Sequence, residues 1–102
     1  MDRIDHHIEE LQTAQKSIFI DFFATWCAPC QMFDPIWEEL KTMMGDQLEF
    51  IKIDIDLLPE IAIKYEVKSV PTLLLIKNGE EKWRMPGFLF AKDLKKIIEP
   101  LI

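Results

Sequence analysis

Among its 102 residues the chain has only two cysteines, two histidines and three glycines, and no apolar run longer than four, Leu73 to Ile76 and Phe88 to Ala91. Runs of four fall far short of the roughly 20 residues that cross a bilayer, so no membrane segment is expected. Basic residues are also scarce: 12 stand against 18 acidic ones, for a net charge of -6. Such a surface repels polyphosphates and anionic membranes, which excludes nucleic acid as an expected partner. The start, Met1-Asp2-Arg3-Ile4-Asp5-His6-His7, has neither the basic region nor the apolar region of an export signal, which points to the cytoplasm. What is present is a composition 49% apolar and 29% charged, that of a single compact domain over residues 1–102. Ordering it costs on the order of 1.5 kcal/mol per residue, which an apolar half offsets by burial without a disulfide staple. No repeat, linker or low-complexity segment divides it.

Periodicity supplies the elements. Ile4, Ile8 and Leu11 behind Asp2 and Asp5 predict a helix over 4–15. Ile18 to Ala24 is nearly continuous apolar sequence, as in a central strand covered on both faces. From Cys30, apolar residues Phe33, Ile36, Trp37, Leu40 and Met43 fall three and four apart, predicting a second helix. Pro29 suits its first turn, whereas Pro35 deletes one ladder bond and should bend it. Phe50 to Ile55 predicts a second strand, parallel to the first through a right-handed crossover. A short helix follows over Pro59 to Glu66. Leu73 to Lys77 and Glu81 to Met85 flank Asn78-Gly79, a strong hairpin signal, so the last two strands should be antiparallel. Ala91 to Leu101 closes the chain as a helix with Leu94, Ile97 and Ile98 inward. The expected fold is α/β, one mixed sheet with helices on both faces.

Both cysteines lie in Trp26-Cys27-Ala28-Pro29-Cys30, where the first clear strand hands over to its helix. A structural disulfide closing so short a loop would contribute only about 2 kcal/mol. Half a zinc site would need two further ligands, and the adjacent His6 and His7 point about 100° apart on a helix. Two inert buried thiols are a third bland reading. Dithiol–disulfide exchange accounts for more, because Cys-x-x-Cys near a βαβ pattern is a redox motif. At a helix N-terminus, free N–H groups and the positive dipole end favour the Cys27 thiolate. Lowering its pKa by about 1.5 units raises thiolate about fifteenfold but returns most of that as lost nucleophilicity. The larger gain comes from Cys30 attacking as a held neighbour, with effective molarities of about 10⁵ M or more.

With these residues in view the sequence resembles the thioredoxin family from about Ile18 onward. The landmarks fall in order: Ile20-Asp21-Phe22, Trp26-Cys27-Ala28-Pro29-Cys30, Pro35, Lys52, Val70-Pro71-Thr72, Lys77-Asn78-Gly79-Glu80 and Gly87. The resemblance implies a four- to five-stranded sheet, a cis Val70–Pro71 bond facing the cysteines, and protein-disulfide reduction, with Cys27 the nucleophile and Cys30 the resolving thiol. It implies that Asp21 is the buried acid that takes the proton from Cys30 and that Lys52 tunes it. Taken singly, Asp21 could be a solvent-facing carboxylate and Lys52 a snorkelling surface lysine. By resemblance, Trp26 lies beside the thiolate and donates its indole N–H to Asp56; the plainer alternative is a core aromatic. Val70, Pro71, Gly87 and Phe88 look like the docking surface, where the Val70 main chain pairs with an extended substrate. The glycine admits close approach or is an ordinary loop glycine. The Trp37 and Met43-Met44 face reads as core.

The resemblance further implies no bound cofactor, a flavin-containing thioredoxin reductase using NADPH as recycling partner, disulfide-containing proteins as substrates, and action as a monomer. Three features depart from the family: Ala28 replaces a glycine, Gln31 a basic residue, and the N-terminus looks about five residues short, leaving the first strand of the family vestigial or absent. Alanine favours helix by nearly 1 kcal/mol, worth roughly 20 mV for a two-electron couple in a direction the sequence leaves open. Gln31 weakens thiolate stabilisation slightly. The competing functions are a thioredoxin-fold oxidase or isomerase, a redox-inactive binding module, and, more weakly, a glutaredoxin.

Overall fold

Strand β1 (Ser17–Phe23) is the spine of the protein, and all but its last residue are buried. Its near-continuous apolar sequence follows from that position: it pairs in parallel with β2 (Glu49–Asp54) on one edge and antiparallel with β3 (Thr72–Lys77) on the other. A fourth strand, β4 (Glu80–Pro86), pairs antiparallel with β3, giving the order β2-β1-β3-β4. The computed structural model describes residues 3–102.

Alternation along β1 sorts its side chains to two faces. Phe19 enters the larger core with Phe33, Trp37, Leu40 and Met44 of α2 (Ala28–Met44) and Leu94 and Ile98 of α4 (Ala91–Ile98). Ile18, Ile20 and Phe22 enter the second, under α1 (Arg3–Thr13) and α3 (Pro59–Lys64), with Ile8 and Ile61 as buried anchors. Helices therefore cover both faces, as the sequence predicted, and Trp37 and Met44 are core.

The boundaries depart from expectation for local reasons. α1 ends at Thr13 rather than residue 15, and Gln15 takes a positive φ of 59° as the chain turns into β1. α3 stops at Lys64 rather than Glu66, which itself adopts φ 55°. α2 begins at Ala28 and runs unbroken through Pro35 to Met44. After Ile98 the final predicted turns tighten to a 3₁₀ segment, Glu99–Leu101. The hairpin signal holds: Asn78 and Gly79 both have positive φ, 54° and 78°, as a two-residue turn between twisted strands requires. The sheet of the described residues has four strands, and α1 occupies the chain before β1.

Candidate functional site

The parallel crossover brings the β1–α2 junction to the end of the sheet, and both cysteines lie there. Cys27 is the N-cap of α2, in extended conformation at φ -91° and ψ 112°. Its Sγ accepts the backbone N–H of Cys30 at 3.2 Å, so a sulfur occupies the place a serine or aspartate oxygen takes in ordinary caps. Pro29, in the first turn, surrenders an N–H that would have had no helical partner. Cys27 and Cys30 are joined as a disulfide, their Cα atoms 5.2 Å apart. Both are buried with Ala24, and half-buried Val70 packs against them. The Val70–Pro71 peptide is cis and leaves the Val70 carbonyl oxygen 3.6 Å from Cys27 Sγ. In the dithiol form that carbonyl can accept the Cys27 S–H.

Two residues away from Phe19 on the same face of β1, Asp21 is fully buried. The solvent-facing alternative is thereby excluded. Neither carboxylate oxygen accepts a hydrogen bond from the described residues. Loss of hydration pushes the Asp21 carboxyl up from 3.8 to about 6; the Lys52 ammonium opposes this and the Asp34 carboxylate adds to it. Lys52 pairs with Asp21 in the β1–β2 register, and its Nζ sits 3.8 Å from Asp21 Oδ2. It is no free surface lysine, being 32% exposed, lying over the Phe23 ring and donating to Asp34 Oδ1 on α2 at 2.5 Å. The sequence reading missed Asp34. Its only signal was its position three residues after Gln31 on the outer side of α2, which acquires meaning once the helix phase over β2 is known. Gln31, the neutral residue after the pair, donates to the Thr25 carbonyl at 2.9 Å.

Trp26 is 68% exposed, which excludes the core alternative, and its indole N–H donates to Asp56 Oδ2 at 2.9 Å. Asp54 Oδ1 accepts the N–H groups of Asp56 and Leu57, shaping the turn that presents Asp56. Gly87 has φ 93° and donates its N–H to the Pro71 carbonyl at 2.7 Å, tying the end of β4 to the Val70–Pro71 loop. A Cβ at Gly87 would meet nothing within 4 Å, so open space and not internal packing lies beside it. The expected docking residues divide here. Pro71 is buried, and Phe88 turns inward against Phe33 with ring centroids 5.5 Å apart. Phe90, 69% exposed at the N-cap of α4, and Met32 on α2 are exposed apolar side chains that the sequence reading did not single out. Among the described residues no three His, Cys, Asp or Glu side chains gather to hold a metal, and none of the helices is long and apolar enough to cross a membrane.

The family model described as Thioredoxin matches residues 3–100. Thioredoxin of Bacillus subtilis is 42% identical over 87 residues, covering 85% of this chain and 84% of the relative. Chloroplastic thioredoxin Y of Oryza sativa is 38% identical over 91 residues, 89% of this chain but 54% of its own length, so the chain spans about half of that relative. The crystal structure of a thioredoxin from Nicotiana alata superposes with a TM-score of 0.88 at 36% identity, covering 96% of this chain and 84% of that one. Shared sequence and shared fold agree along nearly the whole chain, and its Cys-x-x-Cys pair lies at the start of α2: it belongs to the thioredoxin family of thiol–disulfide oxidoreductases.

Proposed function

We propose that the protein reduces disulfides of other proteins with Cys27 as the attacking sulfur and Cys30 as the resolving one. The observation that carries this is the Cys30 N–H held 3.2 Å from Cys27 Sγ at the start of α2. In the reduced protein that donor, together with the helix N-terminus, stabilises negative charge on Cys27. The Cys27 thiolate attacks one sulfur of the substrate disulfide; a Cys27–substrate bond forms, the substrate S–S bond breaks, and one substrate thiolate leaves to be protonated by solvent. Cys30 then gives its proton to the Asp21 carboxylate and attacks Cys27 Sγ. The Cys27–Cys30 bond forms, the mixed disulfide breaks, and the second substrate thiolate departs. Two electrons pass from the protein to the substrate.

An extended substrate docks along Val70, whose main chain pairs with it, and Gly87 leaves room for its backbone. Trp26, Phe90 and Met32 supply exposed apolar contact, while Pro71 and Phe88 hold the loop and the adjoining core in place. The reaction uses no cofactor bound to this chain; NADPH enters through a thioredoxin reductase that restores the dithiol. Such a cycle requires a reducing compartment, and we propose the cytoplasm as that compartment and a monomer as the acting form. Insulin reduction driven by dithiothreitol tests the assignment: the protein should accelerate precipitation of the insulin B chain and Cys27→Ser should abolish the effect. Full turnover by Cys27→Ser would overturn it.

A further inference from the structure

We propose that Asp34 is a positioning residue that holds the Lys52 ammonium away from Asp21, leaving the buried carboxylate free to take the Cys30 proton. The inference rests on the disulfide-reductase reading only for the identity of the proton donor; the geometry stands without it.

One ammonium faces two carboxylates here. Lys52 Nζ touches Asp34 Oδ1 at 2.5 Å, a short charge-assisted hydrogen bond, but stops 3.8 Å from Asp21 Oδ2, beyond hydrogen-bonding distance. The choice is informative because the two acids differ in what they offer. Asp34 is 55% exposed and can satisfy itself with water, whereas Asp21 is fully buried without a donor from the described residues. A buried, unpartnered carboxylate has more to gain from an ammonium than an exposed one. That Lys52 bonds the exposed acid shows that its side chain is held outward, with Asp34 as the holding group and the Phe23 ring beneath, 4.8 Å from Nζ.

The chemical consequence follows from what a proton acceptor needs. An ammonium hydrogen-bonded to Asp21 would lower its proton affinity and make it a poor base for a thiol. An ammonium removed altogether would let burial raise the proton affinity of the carboxyl further, leaving less of it free to accept. Held by Asp34 at intermediate distance, Lys52 leaves Asp21 titrating near the working pH, and the negative charge of Asp34 pushes the same way as burial. The other groups around Asp21 are accounted for. β3 contributes Leu73 opposite it, which is apolar. On the β2 side Asp54 is engaged with the backbone of Asp56 and Leu57, and Asp56 with Trp26. From α2, Asp34 is the one acid that acts on Asp21, and Gln31 carries no charge.

The test is a ¹³C-carboxyl NMR titration of Asp21 in the disulfide form, which needs no turnover and avoids overlap with thiol titration. Asp34→Asn should move the Asp21 midpoint down by about one unit, a tenfold loss of proton affinity, as Lys52 swings onto the buried acid. Repeating Asp34→Asn in a Lys52→Met background separates positioning from simple removal of a charge: the shift should fall to less than half. A midpoint that stays within about 0.2 unit or rises in Asp34→Asn overturns the proposal, as does an equal shift in both backgrounds. In the dithiol enzyme, the acid limb of the pH profile for the resolving step should move to lower pH with the midpoint. If Asp21 shifts as expected but insulin is not reduced by the native protein, the disulfide-reductase reading fails and the positioning of Lys52 survives.

Discussion

Asp21 illustrates how a single residue can trade stability for chemistry. Its folded-state pKa of about 6 lies above the ordinary 3.8, so the native protein binds this proton more tightly than the unfolded chain. The associated stability is present below about pH 4 and is lost as pH rises through 6, a penalty on the order of 3 kcal/mol at most. Asp21→Asn cannot ionise. Its urea-unfolding free energy should match the native protein at pH 4 and exceed it by about 1–3 kcal/mol at pH 7.5; an equal gain at both values would contradict the titration account. Asp21 was visible in the sequence as a lone acid in an apolar strand. Asp34 was not, since an acid on the exposed side of a helix looks the same whether it faces water or a lysine on a neighbouring strand. Phe88 and Phe90 show the same limit. Two residues apart in a loop, only the turn into α4 decides which one is covered.

At the scale of elements, the Asn78-Gly79 turn gives a clean local test. Gly79 holds φ 78° and an added Cβ would meet nothing within 4 Å. Gly79→Ala therefore suffers backbone strain alone, about 1 kcal/mol, to be read as a lower urea midpoint with insulin reduction unchanged. This hairpin and the α2 helix were legible because their signals are short-range: positive-φ residues between strands, and apolar spacings of three and four. The register shift between Leu75 and Ile76 in the β3–β4 pair was not, since a bulge is set by both strands together. Helix ends were misjudged by two residues at α1 and α3 because Gln15 and Glu66 take left-handed conformations usually marked by glycine or asparagine.

Over the whole molecule, Phe19 joins the layers. Its ring lies 5.6 Å from Trp37 of α2, 6.1 Å from Phe50 of β2 and 6.5 Å from Trp83 of β4. Phe19→Ala should cost about 3–5 kcal/mol in urea unfolding, a large part of the 5–15 kcal/mol that typically separates folded from unfolded domains. The mutant should lose its near-ultraviolet tryptophan signal at a lower denaturant concentration, and a loss under about 1 kcal/mol would show that the core closes around the gap. The sequence by itself determined the order of elements, the mixed α/β sheet and the placing of the two cysteines where a strand becomes a helix. Each depends on patterns within a few residues, which periodicity and turn chemistry encode directly. Only the tertiary structure decided which acid Lys52 grips, which phenylalanine is left exposed, and that the Val70 carbonyl stands beside Cys27. Those pairings join residues from 18 to 55 positions apart, and their distances are set by how the helices seat on the sheet.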